Sequence, residues 1–257
     1  MNPVPLLVLT LILTLASCGS RGNGEGAEPH ELTVSAAASL TDAFDDIAQA
    51  FEDGERDVTV TFNFGPSDGL ASQIVEGAPV DVFASASPRW MDAVENEGPG
   101  VSGRADFARN RLAIVVPAAN PAGIEGIEDL AEDDVKLVLA AEGVPAGEYA
   151  REVLASSGLA DAALANVVSN EEDVRAVLTK ILSGDADAGI VYVTDVTPDV
   201  ADQVSLIEIP DDVNVIATYP IAVVAGSQEA DLAQRFVDFV LGDGQETLAA
   251  HGFLPAA

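Results

Sequence analysis

From Glu31 onward the chain alternates short runs of β-branched and aliphatic residues with stretches whose apolar positions recur every three or four residues. A period of two marks a strand with one face buried, and a period near 3.6 marks a helix with an apolar stripe. Residues 32–37 read as a strand. Leu40, Phe44, Ile47 and Phe51 follow at helical spacing, with acidic side chains on the other face. Val58, Val60, Phe62 and Phe64 alternate, which makes 57–64 the second strand, 67–76 a short helix and 80–84 the third strand. Further strands are expected at 111–117, 135–140 and 188–193, with helices at 145–156 and 171–182. Residues 213–224 are apolar and extended with an interruption at Pro220, and Leu232, Phe236, Phe239 and Leu248 carry closing amphipathic helices.

This alternation predicts an α/β fold with largely parallel strands. A length of 257 residues suffices for two modest lobes, each with a core, and two sheets suit these elements better than one open sheet. The expected division is 31–114 with 220–257 as lobe 1 and 115–219 as lobe 2, joined by two crossing segments near 111–117 and 216–222.

The start of the chain follows other rules. Residues 6–16 form an apolar run too short to span a bilayer and are followed by small and polar residues, which indicates an export signal. The run ends in Leu15-Ala16-Ser17-Cys18, which resembles the lipobox of bacterial lipoproteins, where the cysteine becomes the lipid-bearing first residue. Cys18 is the sole cysteine, so an intrachain disulfide is impossible and an acyl carrier is the better reading. No Lys or Arg precedes the run, a departure from the usual basic start. Residues 1–18 are thus expected to be a lipoprotein signal and 19–30 a Gly-rich tether with a reach of roughly 20 Å. The expected location is outside the cytoplasm, anchored to the cell membrane.

Charge narrows the functions. The chain carries 43 acidic and 11 basic residues, a net charge of -32. Nucleic acid is excluded as a partner, because phosphate neutralisation needs a basic surface. The acids are scattered rather than set at metal-ligand spacing, which reads as a solvated surface. Any anion site must therefore work through local dipoles. His30 and His251 are the only histidines, and no phosphate loop or nucleophile elbow occurs, so no enzymatic activity is expected.

Four places read as helix starts after a strand: Ser39-Leu40-Thr41-Asp42, Ser67-Asp68-Gly69-Leu70, Val144-Pro145-Ala146-Gly147-Glu148 with Pro145 in the first turn, and the capping-box pattern Ser169-Asn170-Glu171-Glu172. A helix start exposes unpaired N–H groups and the positive end of the dipole. Several converging starts make an anion site without a charged side chain, although each alone is simply a cap.

The segments Ala36-Ala37-Ala38-Ser39-Leu40-Thr41-Asp42-Ala43, Glu76-Gly77-Ala78-Pro79-Val80-Asp81-Val82-Phe83-Ala84-Ser85-Ala86, Val144-Pro145-Ala146-Gly147-Glu148-Tyr149-Ala150, Glu172-Asp173-Val174-Arg175 and Gly189-Ile190-Val191-Tyr192 closely resemble the molybdate-binding subunits of bacterial ABC importers. The resemblance runs from about Leu32 to the C-terminus, with five motifs in order. It implies the type II periplasmic-binding-protein fold: two α/β lobes, two crossover strands and a ligand cleft between them. It also implies an oxyanion site in which Ser39, Ser67 and Tyr192 supply hydroxyls while Ala146 and Val174 supply backbone N–H groups, with no direct cation ligand. The run Gly65-Pro66-Ser67-Asp68-Gly69 departs from the family's usual serines, and Asp68 suits an anion site only with its side chain turned away. Arg175 is expected in an exposed salt bridge, and Trp90, Tyr149 and Tyr219 in packing.

The function implied is capture of molybdate, or its near-isostere tungstate, by a monomer that hands it to an importer permease, with no cofactor beyond that transported ligand. Alternatives are the same fold binding sulfate, phosphate or another oxyanion, and an enzyme or sensor on this fold. The anchoring expectation has a direct check. Cys18→Ser should move the protein from the membrane pellet to the soluble fraction without changing ligand affinity, and equal retention of the variant would count against a lipid on Cys18.

Overall fold

The structure, a computed structural model, describes residues 30–256; the signal segment, Cys18 and tether residues 19–29 lie outside the described residues. The chain opens with β1 (His30–Ala37), a 3-10 turn at Ala38–Leu40, α1 (Thr41–Gly54), β2 (Val58–Gly65), α2 (Ser67–Val75), β3 (Val82–Ala84) and α3 (Pro88–Glu97). A long strand, β4 (Val101–Pro117), leads to β5 (Leu137–Ala140), α4 (Pro145–Ser156), α5 (Ala160–Ala165), β6 (Val167–Glu171), α6 (Val174–Leu182) and β7 (Ala188–Tyr192). The remaining elements are β8 (Val204–Glu208), β9 (Ile216–Val224), α7 (Ala230–Leu241), α8 (Gly244–Ala250) and β10 (Leu254–Pro255).

The ten strands run in the order β2-β1-β3-β9-β4-β7-β5-β6, with β8 and β10 also paired to β4. The path divides into two sheets because β4 changes partners along its length. Its first part pairs with β9 as far as Arg111 opposite Ile216. From Leu112 it pairs with β7, and from Ala113 with β8. At the change the Asn214 amide substitutes for a strand: Leu112 N–H donates to Asn214 Oδ1 (3.3 Å) and Asn214 Nδ2 donates to the Leu112 carbonyl (2.9 Å). Buried backbone groups thus stay paired where β9 leaves the ladder. We call the half built on β1–β3, β9, β10 and the first part of β4 lobe 1, and the half built on β5–β8 and the end of β4 lobe 2.

Each lobe has its own packing. In lobe 1 the helical stripe of α1 puts Phe44 and Phe51 against Phe107 of β4 and Phe236 of α7, with ring centroids 5.3 to 6.2 Å apart. A second cluster seats α2 and α3 on the sheet through Leu70, Ile74, Met91, Val94 and Phe83. In lobe 2, Leu137 to Ala140 and Ile190 to Tyr192 are buried on both faces, as parallel strands between helices should be. Their helices contribute Val153, Leu154, Val177 and Ile181.

Several elements differ from the sequence pattern. Pro220 does not interrupt β9: it sits opposite Asp106, beside a shift in the β4 ladder between Asp106 and Ala108, where a missing N–H is tolerated. The first ten residues of β4 escaped notice because much of that face is solvent-exposed and polar. Ser169 does not cap a helix, contrary to the capping-box pattern of its sequence. Residues 169–171 end β6, and the cap of α6 is Asp173, whose carboxylate accepts from Ala176 N–H.

The aromatic cluster yields a stability prediction. Phe236 is fully buried, so Phe236→Ala should cost about 3–5 kcal/mol in denaturant unfolding. Val168, 57% exposed on edge strand β6, should tolerate Thr within about 0.5 kcal/mol.

Candidate functional site

Four strand-to-helix turns converge between the lobes. The β1 end and following turn bring Ala37, Ala38 and Ser39; the β2–α2 turn brings Gly65, Pro66 and Ser67; the start of α4 brings Val144, Pro145 and Ala146; the start of α6 brings Asp173 and Val174. Ala86 and Tyr192 complete the wall. All five residues expected to hold a ligand therefore line one cavity. A water-sized sphere can move its centre through about 20 Å³ of it, room for one compact ion and far below an organic-ligand pocket.

The two serines do not cap helices. Ser39 lies inside the 3-10 turn, and neither the turn nor α1 has a side-chain cap. Its hydroxyl instead stands 2.9 Å from the Tyr219 hydroxyl. Asn110 Nδ2 donates toward the same Tyr219 oxygen at 3.5 Å and to Thr194 Oγ1 at 2.7 Å. Either hydroxyl of the Ser39–Tyr219 pair can be the donor; when Tyr219 donates, the Ser39 proton is free for the cavity. Ser67 Oγ accepts from Ala86 N–H at 3.0 Å, which also leaves its proton free. The Tyr192 hydroxyl is buried without a partner. Burial first, then the neighbouring Tyr219, Tyr149 and Asp195, push its pKa well up, so it stays a neutral donor.

Backbone donors add to these hydroxyls. Ala146 and Val174 lie in the first turns of α4 and α6, where N–H groups have no acceptor within the helix. Gly147 is what lets α4 begin here: a Cβ on it would stand 2.3 Å from the carbonyl oxygens of both Ala140 and Ala141. Arg151 fixes the same junction by donating to the carbonyls of Ala140 and Gly147, both at 2.8 Å.

No Lys or Arg lines the cavity, and its one charged residue is Asp173, whose Oδ1 is engaged at 2.8 Å by Ala176 N–H. Asp68 does not line it; its carboxylate faces Gly143 across the cleft. The arrangement is a cradle of donors with buried protons lacking acceptors, and such protons require a partner that only accepts. Among the described residues no cluster of His, Cys, Asp or Glu could hold a metal cation, and no helix is long and apolar enough to cross a membrane. A larger hollow of ≈ 720 Å³ beside Asp81 and Glu229 lacks this chemistry. The Asp81 carboxylate there is already bound to Thr33 N–H and the Ser227 hydroxyl.

Tyr219 and Asn110 are site residues that the sequence did not reveal. Their positions in extended, partly apolar segments carry no signal of a hydroxyl relay to Ser39. Asp195 has no local sequence signal either. It is buried, accepts from Tyr192 N–H through Oδ2 (2.9 Å) and has no partner at Oδ1.

A two-lobed α/β architecture with a donor-lined ion cavity between the lobes defines a solute-binding protein of the periplasmic type. Residues 32–254 match the family described as bacterial extracellular solute-binding protein, and the chain belongs to it. The molybdate-binding protein ModA of Mycobacterium tuberculosis is 36% identical over 256 residues, covering 96% of this chain and 95% of that protein. A Bacillus subtilis protein provisionally named ABC transporter substrate-binding lipoprotein YvgL is 30% identical, covering 96% of each. The periplasmic molybdate-binding protein of Azotobacter vinelandii has the same fold, with a TM-score of 0.78 at 22% identity over 88% of this chain and all of that one.

Asp195 generates a prediction. Burial, the largest influence, lifts its pKa from 3.8 to about 7; the Tyr192 N–H and Arg175 oppose the rise, and Asp173 and Asp42 add to it. The folded state therefore keeps a proton that the unfolded chain has lost, so stability falls as pH rises between about 4 and 7 and levels off above. The slope from this group is at most about 1.4 kcal/mol per pH unit. Asp195→Asn cannot titrate, and its unfolding free energy should decline less over that range than that of wild type. Parallel pH profiles of the two proteins would refute the buried neutral carboxyl.

Proposed function

We propose that the chain captures molybdate, with tungstate as a near-isostere, outside the cytoplasm and delivers it to the permease of an ABC importer while a lipid on Cys18 holds it at the membrane. The observation that carries this reading is the cavity: three buried hydroxyls with protons to give and two helix-start amides surround a space free of cations. A tetrahedral dianion presents acceptor oxygens in every direction and saturates such a set. Ser39, Ser67 and Tyr192 donate through hydroxyls, Ala146 and Val174 through N–H groups. The names of the similar proteins from M. tuberculosis and A. vinelandii support the choice of ligand. The B. subtilis name supports the lipoprotein and importer parts.

The site is complete within one chain, in keeping with a monomer. The lining contains no histidine, and its one carboxylate, Asp173, caps α6 through Oδ1. For the lobe division at 31–114 with 220–257 and at 115–219, the change of β4's partners near residue 112 supports the first boundary, whereas β9 pairs within lobe 1 from Ile216, four residues before the second.

Chemistry separates the oxyanions. Phosphate near neutral pH always carries at least one proton, which needs an acceptor, and the one carboxylate in the lining, Asp173, already accepts from Ala176 N–H through Oδ1. Sulfate has no proton but is smaller, so a cavity fitted to the larger ion stretches several hydrogen bonds to it. Calorimetry and thermal unfolding with molybdate, tungstate, sulfate and phosphate test the reading. Loss of one hydroxyl to a buried charged ligand costs about 1.5–3 kcal/mol, so Ser39→Ala and Tyr192→Phe should each weaken molybdate binding roughly ten- to a hundredfold. Ligand at a hundred times its dissociation constant adds about 2.7 kcal/mol, which raises the wild-type melting temperature by roughly 5–10 °C. Sulfate should do less and phosphate least. Unchanged affinity in both folded variants would refute the donor assignment, and stabilisation by phosphate equal to that by molybdate would move the ligand to a protonated oxyanion.

A further inference from the structure

The cavity is closed by bonds that cross between lobes, and one of them joins two donor turns directly. Arg175 follows Val174 in the first turn of α6, in lobe 2. Its Nε donates to the carbonyl of Ala38 in lobe 1 at 2.9 Å, and its Nη2 pairs with Asp42 in the first turn of α1. Ala38 immediately precedes Ser39. The same carbonyl accepts from the Thr41 hydroxyl at 2.8 Å and from the Thr41 N–H, which fixes the turn that aims Ser39. One guanidinium therefore sets the distance between the turn bearing the Ser39 hydroxyl and the helix start bearing the Val174 N–H.

The opposite rim has its own crossing contacts: Trp90 Nε1 donates to the Gly143 carbonyl at 2.9 Å, and Arg89 pairs with Glu148. These join α3 to α4 and the turn before it and touch no residue bonded to a cavity serine; a third contact there, the Tyr149 hydroxyl to the Ala86 carbonyl, does reach Ser67's partner but is longer, at 3.4 Å, and carries no charge. Charge makes the Arg175 contact consequential. In a chain with net charge -32 the approach of two acidic lobes is opposed by their own field, and an arginine placed across the gap offsets that repulsion where closure occurs. An exposed ion pair alone contributes little. This one is only about a third exposed at the arginine and is joined to a backbone hydrogen bond in the planar two-pronged geometry that lysine cannot reproduce.

We propose that Arg175 is a positioning residue for oxyanion capture, a latch that holds α6 and the 38–42 turn in register around the ion and thereby sets its residence time. The inference rests on the oxyanion reading of the cavity. A latch formed on closure acts on dissociation more than on association.

The test uses the full chain, molybdate as the probe and the fluorescence of Trp90, the single tryptophan, as the optical signal in stopped flow. Arg175→Met, which keeps an apolar stem, should release molybdate about tenfold faster, with an association rate near that of wild type and an unchanged melting temperature without ligand. Arg175→Lys should recover part of the effect through Asp42, and Asp42→Asn should fall between Arg175→Met and wild type. The double variant should dissociate no faster than Arg175→Met, since both changes break one contact. Should Arg175→Met fail to fold, Asp42→Asn carries the kinetic test. Wild-type dissociation rates in the folded variants overturn the latch, as does a melting temperature lowered without ligand while dissociation stays unchanged, which marks a purely structural arginine. Absence of any molybdate response in wild type is instead a failure of the oxyanion reading. Scattering then decides the latch: Arg175→Met should have a larger radius of gyration than wild type, and an equal radius overturns it.

Discussion

An anion cavity inside a chain with 43 acidic and 11 basic residues has to be built from dipoles and hydroxyl protons, because the surrounding field repels the ligand and a nearby cation would be drawn to the many carboxylates. Much of the architecture follows from that constraint. Parallel strands deliver chain ends to one side of each sheet, helices begin there, and their first-turn amides face the gap between sheets. The hydroxyls are relieved of internal duties that would consume their protons. Ser67 accepts from Ala86 N–H, and Ser39 shares its bond with a Tyr219 hydroxyl that can itself donate, so either serine can turn its proton to the cavity. Burial of Asp195 raises its pKa to about 7, which reduces the negative charge in the region below neutral pH.

The seam between lobes meets a mechanical requirement of the same site. Strands β4 and β9 pair, with two register shifts, up to the seam at Arg111, and the Asn214 amide takes over at Leu112. Few backbone bonds then need to change if the lobes swing about this point. The cost of ordering the gap falls on side-chain contacts at the rims, which can form and break without disturbing either core.

Much of this was legible in the residues. Alternation in 57–64 and the helical stripe of Phe44, Ile47 and Phe51 placed β2 and α1, because one face of each is buried and the other wet. The five donor positions came from motif resemblance, and the structure gathers all of them at one cavity. What stayed hidden was of two kinds. Edge and seam strands, such as the first part of β4 and all of β6, expose polar residues and lose the periodic signal. Supporting contacts between distant segments, Tyr219 to Ser39 or Arg175 to Ala38, leave no local pattern, since each depends on tertiary approach across more than a hundred residues. Ser169 misled for a related reason: its sequence fits a capping box, but pairing of β6 with β5 claimed residues 169–171 and passed the cap to Asp173.

The central claim is that an oxyanion is held wholly by neutral donors contributed from both lobes. Crystals of the protein grown with tungstate, measured for anomalous scattering from tungsten, test it most directly. The account predicts one strong peak in the cavity, with tungstate oxygens within hydrogen-bonding distance of the Ser39, Ser67 and Tyr192 hydroxyls and the Ala146 and Val174 N–H groups, and no protein atom bonded to the metal. A peak elsewhere, or a side chain bonded directly to tungsten, would contradict it.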